Sequence, residues 1–181
     1  MNLNNMAEIK DKKLINRIKS SGIKTIKLEK FAPDAETFEF DLKHFLFKGL
    51  LLREKEFRTN MKDYDWTQTE GKVLCIYCST NAIIPKWAYM LITQHAFPFA
   101  TDIHFGTKEN FTAKAFTENI NGHDWSMYKD DRVILKGCSD GQEIPPNAYI
   151  AATKHLLPYS KSIMYGEPCS TVPVFKRPKV K

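Results

Sequence analysis

Four cysteines, Cys75, Cys78, Cys138 and Cys169, are the residues of this chain best suited to soft-metal or thiol chemistry. Cys75 and Cys78 share the β-rich run KVLCIYC, in which residues three apart along a strand face opposite sides. A redox CxxC belongs in the loop and helix start after a strand, so Cys75 reads as core packing. Cys78 and Cys138 each end such a run, and Cys169 follows a third, after Gly166, Glu167 and Pro168. In an open parallel sheet, ligands gather outside the carboxyl ends of the strands. That geometry would bring Cys78, Cys138 and Cys169 to one sheet edge. Three thiolates suit Zn2+ with one open position, or an iron–sulfur centre with one iron left free. Glu167 and Asp140 are the candidates for a fourth ligand or for groups that orient the thiolates. Spacings this long carry no local ligand signature, so a packing-only role for the cysteines stays open.

A thiol nucleophile is a third reading, with His95 or His155 as nominal base. Both histidines lie about ten residues past Pro85 and Pro145, roughly 15 Å along a helix axis from the strand ends. They read better as structural histidines bonded to last-turn carbonyls. His44, His104 and His123 receive no role.

The elements that must position the cysteines come from an internal repeat. At an offset of 60, residues 72–106 align with 132–166 without a gap, and 12 of the 35 pairs are identical, among them Cys78/Cys138, Pro85/Pro145, Tyr89/Tyr149, His95/His155 and Gly106/Gly166. At an offset of 59 the match extends upstream, pairing Phe57, Asn60, Asp65 and Trp66 with Phe116, Asn119, Asp124 and Trp125. KVLCIYC and RVILKGC read as buried strands. Each is followed by a loop and a helix opened by Ile-Pro, since proline at the first helical position gives up only an N–H that has no partner anyway. Pro98 and Pro158 stop these helices, and the runs ending at Gly106 and Gly166 read as the next strands. A further helix is expected over 110–120. Trp66 and Trp125, each after an aspartate, are expected to cap helices and anchor the following turn.

Strand and helix in strict alternation predict an α/β fold, a mostly parallel sheet flanked by helices with an internal pseudo-twofold duplication. The N-terminal part is expected to add a helix over 7–20 and a β-hairpin around Pro33-Asp34. The boundaries within one domain of 1–181 are 1–45 for that extension, 46–106 for the first repeat, 107–173 for the second with a terminal strand, and 174–181 for a basic tail.

The net charge of +6 does not make this a nucleic-acid binder. Residues 1–30 carry eight basic and three acidic side chains and the last eight carry four basic ones, so 31–173 are left at −3. The excess sits at the ends, where charge is usually solvated. No run approaches the roughly 20 apolar residues of a membrane helix, and no signal-peptide pattern opens the chain. A cytoplasmic location with reduced thiols is the expectation. No phosphate-loop motif is present among the eight glycines, which gives nucleotide use no support.

The strings IYCSTNAIIPKWAYMLI, ILKGCSD and SIMYGEPCSTVPVFKR resemble a bacterial family, the domain of unknown function 2480. The likeness runs from the Ile15-Asn16-Arg17 region to Lys176 and is most specific at YGEPCSTVP. Its motif covers Cys78, Cys138 and Cys169 and leaves Cys75 outside. Members of the family are often encoded near iron–sulfur assembly genes, so the resemblance implies iron–sulfur assembly proteins as partners and favours the metal reading, with no reaction attached. The sequence thus points to a metal- or cluster-binding protein more than to an independent enzyme. The alternatives are a metal-free protein-binding module of a larger assembly and a thiol-dependent enzyme.

Overall fold

The structure, a computed structural model, describes residues 22–136, 143–168 and 170–178; the helix expected over 7–20 lies outside them. It is a mixed α/β fold of mostly parallel sheets flanked by helices. The smaller sheet has the order β2 (Thr37–Asp41), β3 (Val73–Tyr77), β4 (Asp102–Phe105), all parallel. The larger sheet has the order β1 (Ile23–Ile26), β5 (Arg132–Leu135), β6 (Ser162–Glu167), β7 (Ser170–Lys176), with only β7 antiparallel. Four α-helices cross between described strands: α1 (Glu54–Asp63), α2 (Lys86–Ala96), α3 (Lys108–Asn121) and α4 (Pro146–Leu156). No described helix is long and apolar enough to cross a membrane.

The expected N-terminal hairpin is replaced by two strands in two different sheets. β1 pairs in parallel with β5 and β2 with β3. The reason lies in residues 27–36, where Pro33-Asp34 reads as a turn. These ten residues hold a 3-10 turn, Leu28–Phe31, whose Leu28 and Phe31 are buried. A second such turn, Leu42–Phe45, follows β2 and buries Leu42. Each Leu-x-x-Phe turn plugs the core beside its own sheet, so the strands before them cannot lie together as a two-stranded ribbon. β2 therefore belongs with the first repeat. β1 belongs with the second, 109 residues from its neighbour (132 minus 23).

Equivalent contacts recur in both halves. The Trp66 indole N–H donates to the Met61 carbonyl at 2.8 Å, and that of Trp125 to the Ile120 carbonyl at 2.7 Å. Each tryptophan thereby caps a last-turn carbonyl of α1 or α3. Asp65 and Asp124 accept from the backbone N–H of Thr67 and Ser126. His95 stacks on Trp66 and His155 on Trp125, with ring centroids 6.1 and 6.0 Å apart. The histidines thus sit face to face with indoles rather than bonding to last-turn carbonyls, and the Nε2 of His155 lies 2.9 Å from the Asn121 side-chain oxygen. Pro85 and Pro145 are the residues just before their helices, and Pro146 takes the first helical position. The helices pack close to the sheets through Ala88, Ala96, Ala148 and Ala152, all fully buried.

The register shifts where the sequence match had none. In the core of the smaller sheet β3 contributes Leu74 and Ile76, whereas β5 contributes Val133 and Leu135 to the other core, an offset of 59. Gly71 and Asp130, also 59 apart, share positive φ and donate to the carbonyls of Phe99 and Tyr159. The extra residue therefore falls after the strands, between Leu135 and Ile144. Cys75 corresponds to Ile134, not Leu135, and both turn away from the helix-covered core while remaining buried. α3 also meets the back of the smaller sheet, where His104 of β4 meets the Phe111 ring edge-on at 5.7 Å.

Replacing Trp125 by Phe keeps an aromatic ring and removes the N–H, leaving the Ile120 carbonyl with the weaker bond from the His123 N–H at 3.2 Å. The expected loss from the hydrogen bond is about 0.5–1.5 kcal/mol, read as a lower urea midpoint at unchanged slope. Unchanged stability would show that the indole N–H does not hold the end of α3.

Candidate functional site

The strands that precede the cysteines in sequence lie in two sheets, where one was expected. Cys78 is the first residue after β3 of the smaller sheet; in sequence Cys138 is the third residue after β5, and Cys169 falls between β6 and β7, strands of the larger sheet. Cys138, Asp140 and Cys169 lie outside the described residues. Among the described residues no three His, Cys, Asp or Glu side chains gather closely enough to hold a metal ion. Any such ligand set must draw on residues outside the described ones.

The two carboxyl ends adjoin. α3 starts just after β4, and α4 starts after the loop that leaves β5. Between them lies a cavity of about 360 Å³, lined by Lys108, Glu109, Asn110 and Ala113 from α3 and by Glu143, Pro145 and Pro146 at the start of α4. The starts of α2 and α4 carry prolines without a side-chain cap, so their first N–H groups present partial positive charge. Cys78 precedes Pro85 by seven residues and Cys138 precedes Pro145 by seven.

Cys78 is half-buried, with its sulfur 3.3 Å from the Thr80 hydroxyl. The next residue, Ser79, donates its N–H to the Asp41 carboxylate at 3.0 Å. Burial pushes Asp41 up, but the hydrogen bonds from Ser79 and Lys43 outweigh it and hold the carboxyl below its ordinary range. An ionised Asp41 at the end of β2 thus fixes the loop that carries Cys78. Cys75 is fully buried, and burial, reinforced by Glu39, Glu109 and Asp102, pushes its thiol up to about 11. It stays protonated and inert at neutral pH, in keeping with the core reading.

At the end of β6, Glu167 supplies the feature that most needs explanation. Its Oε1 is buried and makes no hydrogen bond, and the nearest cation is the Lys136 ammonium at 3.9 Å. Lys136 is itself only 15% exposed, and its carbonyl accepts from the Tyr149 hydroxyl at 3.1 Å. The Tyr149 and Tyr165 rings meet edge to face at 5.6 Å, the counterpart of Tyr89 and Phe105 at 5.4 Å. The other half has Tyr77 and Thr107 where this one has Lys136 and Glu167. The Glu167 side chain is 32% exposed, but its Oε1 is buried without a donor and is left for another partner.

Of the expected site residues, the described structure thus places Cys78 just past the carboxyl end of β3 in the smaller sheet and Glu167 at that of β6 in the larger. Asp41 contacts the Cys78 loop, and Lys136 and Tyr149 stand beside Glu167. Tyr149 was visible in the sequence as a repeated position, and Lys136 as a lone charge closing the apolar run Val133 to Leu135.

The fold and this site define an α/β protein of two mostly parallel sheets, with the half-buried thiol of Cys78 just past one strand end. A family model described as "protein of unknown function (DUF2480)" matches residues 12–177, and the chain belongs to that family. No curated protein and no solved structure is significantly similar to it.

The two described thiols should separate by pH. Alkylation of the folded protein with iodoacetamide at pH 8 is expected to modify Cys78 and spare Cys75, which becomes reactive only on unfolding or as the pH nears 11. Equal labelling of both at pH 8, read by peptide mass mapping, would contradict the placement of Cys75.

Proposed function

We propose that the protein binds a metal ion, Zn2+ or an iron–sulfur centre, through Cys78, Cys138 and Cys169. The observation that supports this reading is the cavity between the starts of α3 and α4, where the helix that follows the smaller sheet meets the helix that follows β5 of the larger. Glu167 supports it, since a buried carboxylate oxygen with no donor suits a metal or a group bound to one. Lys136 offsets the negative charge that three thiolates bring to a divalent ion. In this reading Glu167 orients or completes the ligand set, Asp140 is the alternative in that role, and iron–sulfur assembly proteins are the fitting partners.

Metal content of anaerobically purified protein tests the proposal. Wild type is expected to carry zinc or iron near one equivalent or one cluster, and C78S/C138S/C169S almost none while keeping its far-UV circular dichroism. Equally low metal in both, with equal folding, would remove the reading.

A further inference from the structure

The opposite, amino-terminal end of the larger sheet gathers charge that the sequence scatters. Strand register sets Ile23, Arg132, Ser162 and Lys176 side by side in one row across β1, β5, β6 and β7. Lys176 and Arg177, expected in a free basic tail from 174 onward, are instead held at the sheet: Lys176 is the last residue of β7, and the Arg177 N–H donates to the Lys161 carbonyl. A cavity of about 350 Å³ lies here, with Ile23, Met164, Pro173 and Phe175 as its apolar lining and Arg132, Lys161, Lys176 and Arg177 around them. Arg177 is already committed, to Asp130 at 3.2 Å and to the Pro158 carbonyl at 2.8 Å. The side chains of Arg132, Lys161 and Lys176 make no hydrogen bond or ion pair among the described residues. No acidic side chain is among the described residues lining the cavity.

We propose that this cavity binds a small organic anion with an apolar body, its carboxylate or phosphate head held by Arg132, Lys161 and Lys176 and its body lying on Ile23, Met164 and Pro173. Three observations carry it. The volume is in the range of small-molecule sites, which pair an apolar lining with a few polar anchors. Three cations with no partner among the described residues line one cavity, and no acidic side chain is among its described lining residues, so an anion from outside would relieve their mutual repulsion. Stacked bases are disfavoured as the occupant, because the one aromatic ring in the lining, Phe175, packs against the core on the helix side and offers no platform of the kind single strands use. The site is independent of the cysteines, which lie at the other end of the strands.

Fluorescence titration of the full chain with anilinonaphthalene sulfonate tests it, using octanoate, octyl phosphate, inorganic phosphate and oligothymidylate as competitors. Saturable binding is expected, displaced by octanoate or octyl phosphate and not by inorganic phosphate at the same concentration. Whichever of the two displaces at lower concentration identifies the head group. R132A/K176A is expected to weaken binding about tenfold, as for two exposed charge contacts. Raising salt from about 0.1 to 1 M, which shortens screening from about 10 to 3 Å, is expected to weaken it as well. Should the double variant unfold, K161A and M164E carry the same expectation singly. Absence of saturable binding, unchanged affinity in the folded variants, or displacement by oligothymidylate and not by the amphiphiles would overturn the proposal.

Discussion

The parallel pairing of β1 with β5 is the constraint on which the rest of the chain depends. It joins residues 109 positions apart, and everything between them, the whole of the smaller sheet and its helices, must be accommodated as the pair forms. Ile26, Leu28 and Phe31 follow this pairing into the larger core, where Phe31 stacks on Trp125 at 5.7 Å and its carbonyl accepts from the Asn119 side chain at 3.0 Å. Loop closure over such a length costs only slightly more than over a short one, so the pairing is affordable in stability. Contacts this distant in sequence are slow to form, which makes this strand pair a natural late step in folding.

The same pairing explains what the sequence did and did not disclose. The repeat of strand, proline-led helix and strand was legible because Pro85 and Pro145, Ala88 and Ala148, and Gly106 and Gly166 are the residue types those positions demand. Gly166, with φ of 119° and the Ser170 carbonyl 2.5 Å from where a Cβ would stand, tolerates no side chain. Trp66 and Trp125 were legible as anchors for a similar reason. The destination of β1 was not, since nothing local in IKTI distinguishes a strand that pairs nearby from one that pairs 109 residues on. The one-residue slip escaped because Val73 and Val133 match as letters although they face opposite sides of their strands, which only the cores of the two sheets disclose.

For the site, residue type was visible and company was not. Cysteines at strand ends could be read directly, but their division between two sheets and the meeting of those sheets' carboxyl ends depend on where α3 lies. α3 serves both halves: Phe116 and Ile120 enter the larger core, and Phe111 meets His104 on the back of the smaller sheet. Its start then faces the start of α4 across the cavity. Lys136 and Glu167, 31 residues apart in sequence, come within 3.9 Å only because β5 and β6 are neighbours. The two ends of the larger sheet thus differ in kind, with a half-buried ion pair at one and cations without a partner among the described residues at the other.

The central claim is that the adjoining carboxyl ends hold thiolates as one ligand set. Cobalt(II) substitution tests it most directly, because thiolate-to-cobalt charge transfer in the near ultraviolet requires sulfur ligands and tetrahedral cobalt absorbs strongly in the visible. The account expects an intense spectrum of both kinds at one equivalent, weakened by each of C78S, C138S and C169S and unaffected by C75S. A weak octahedral spectrum without charge transfer, the same in all five proteins, would contradict it.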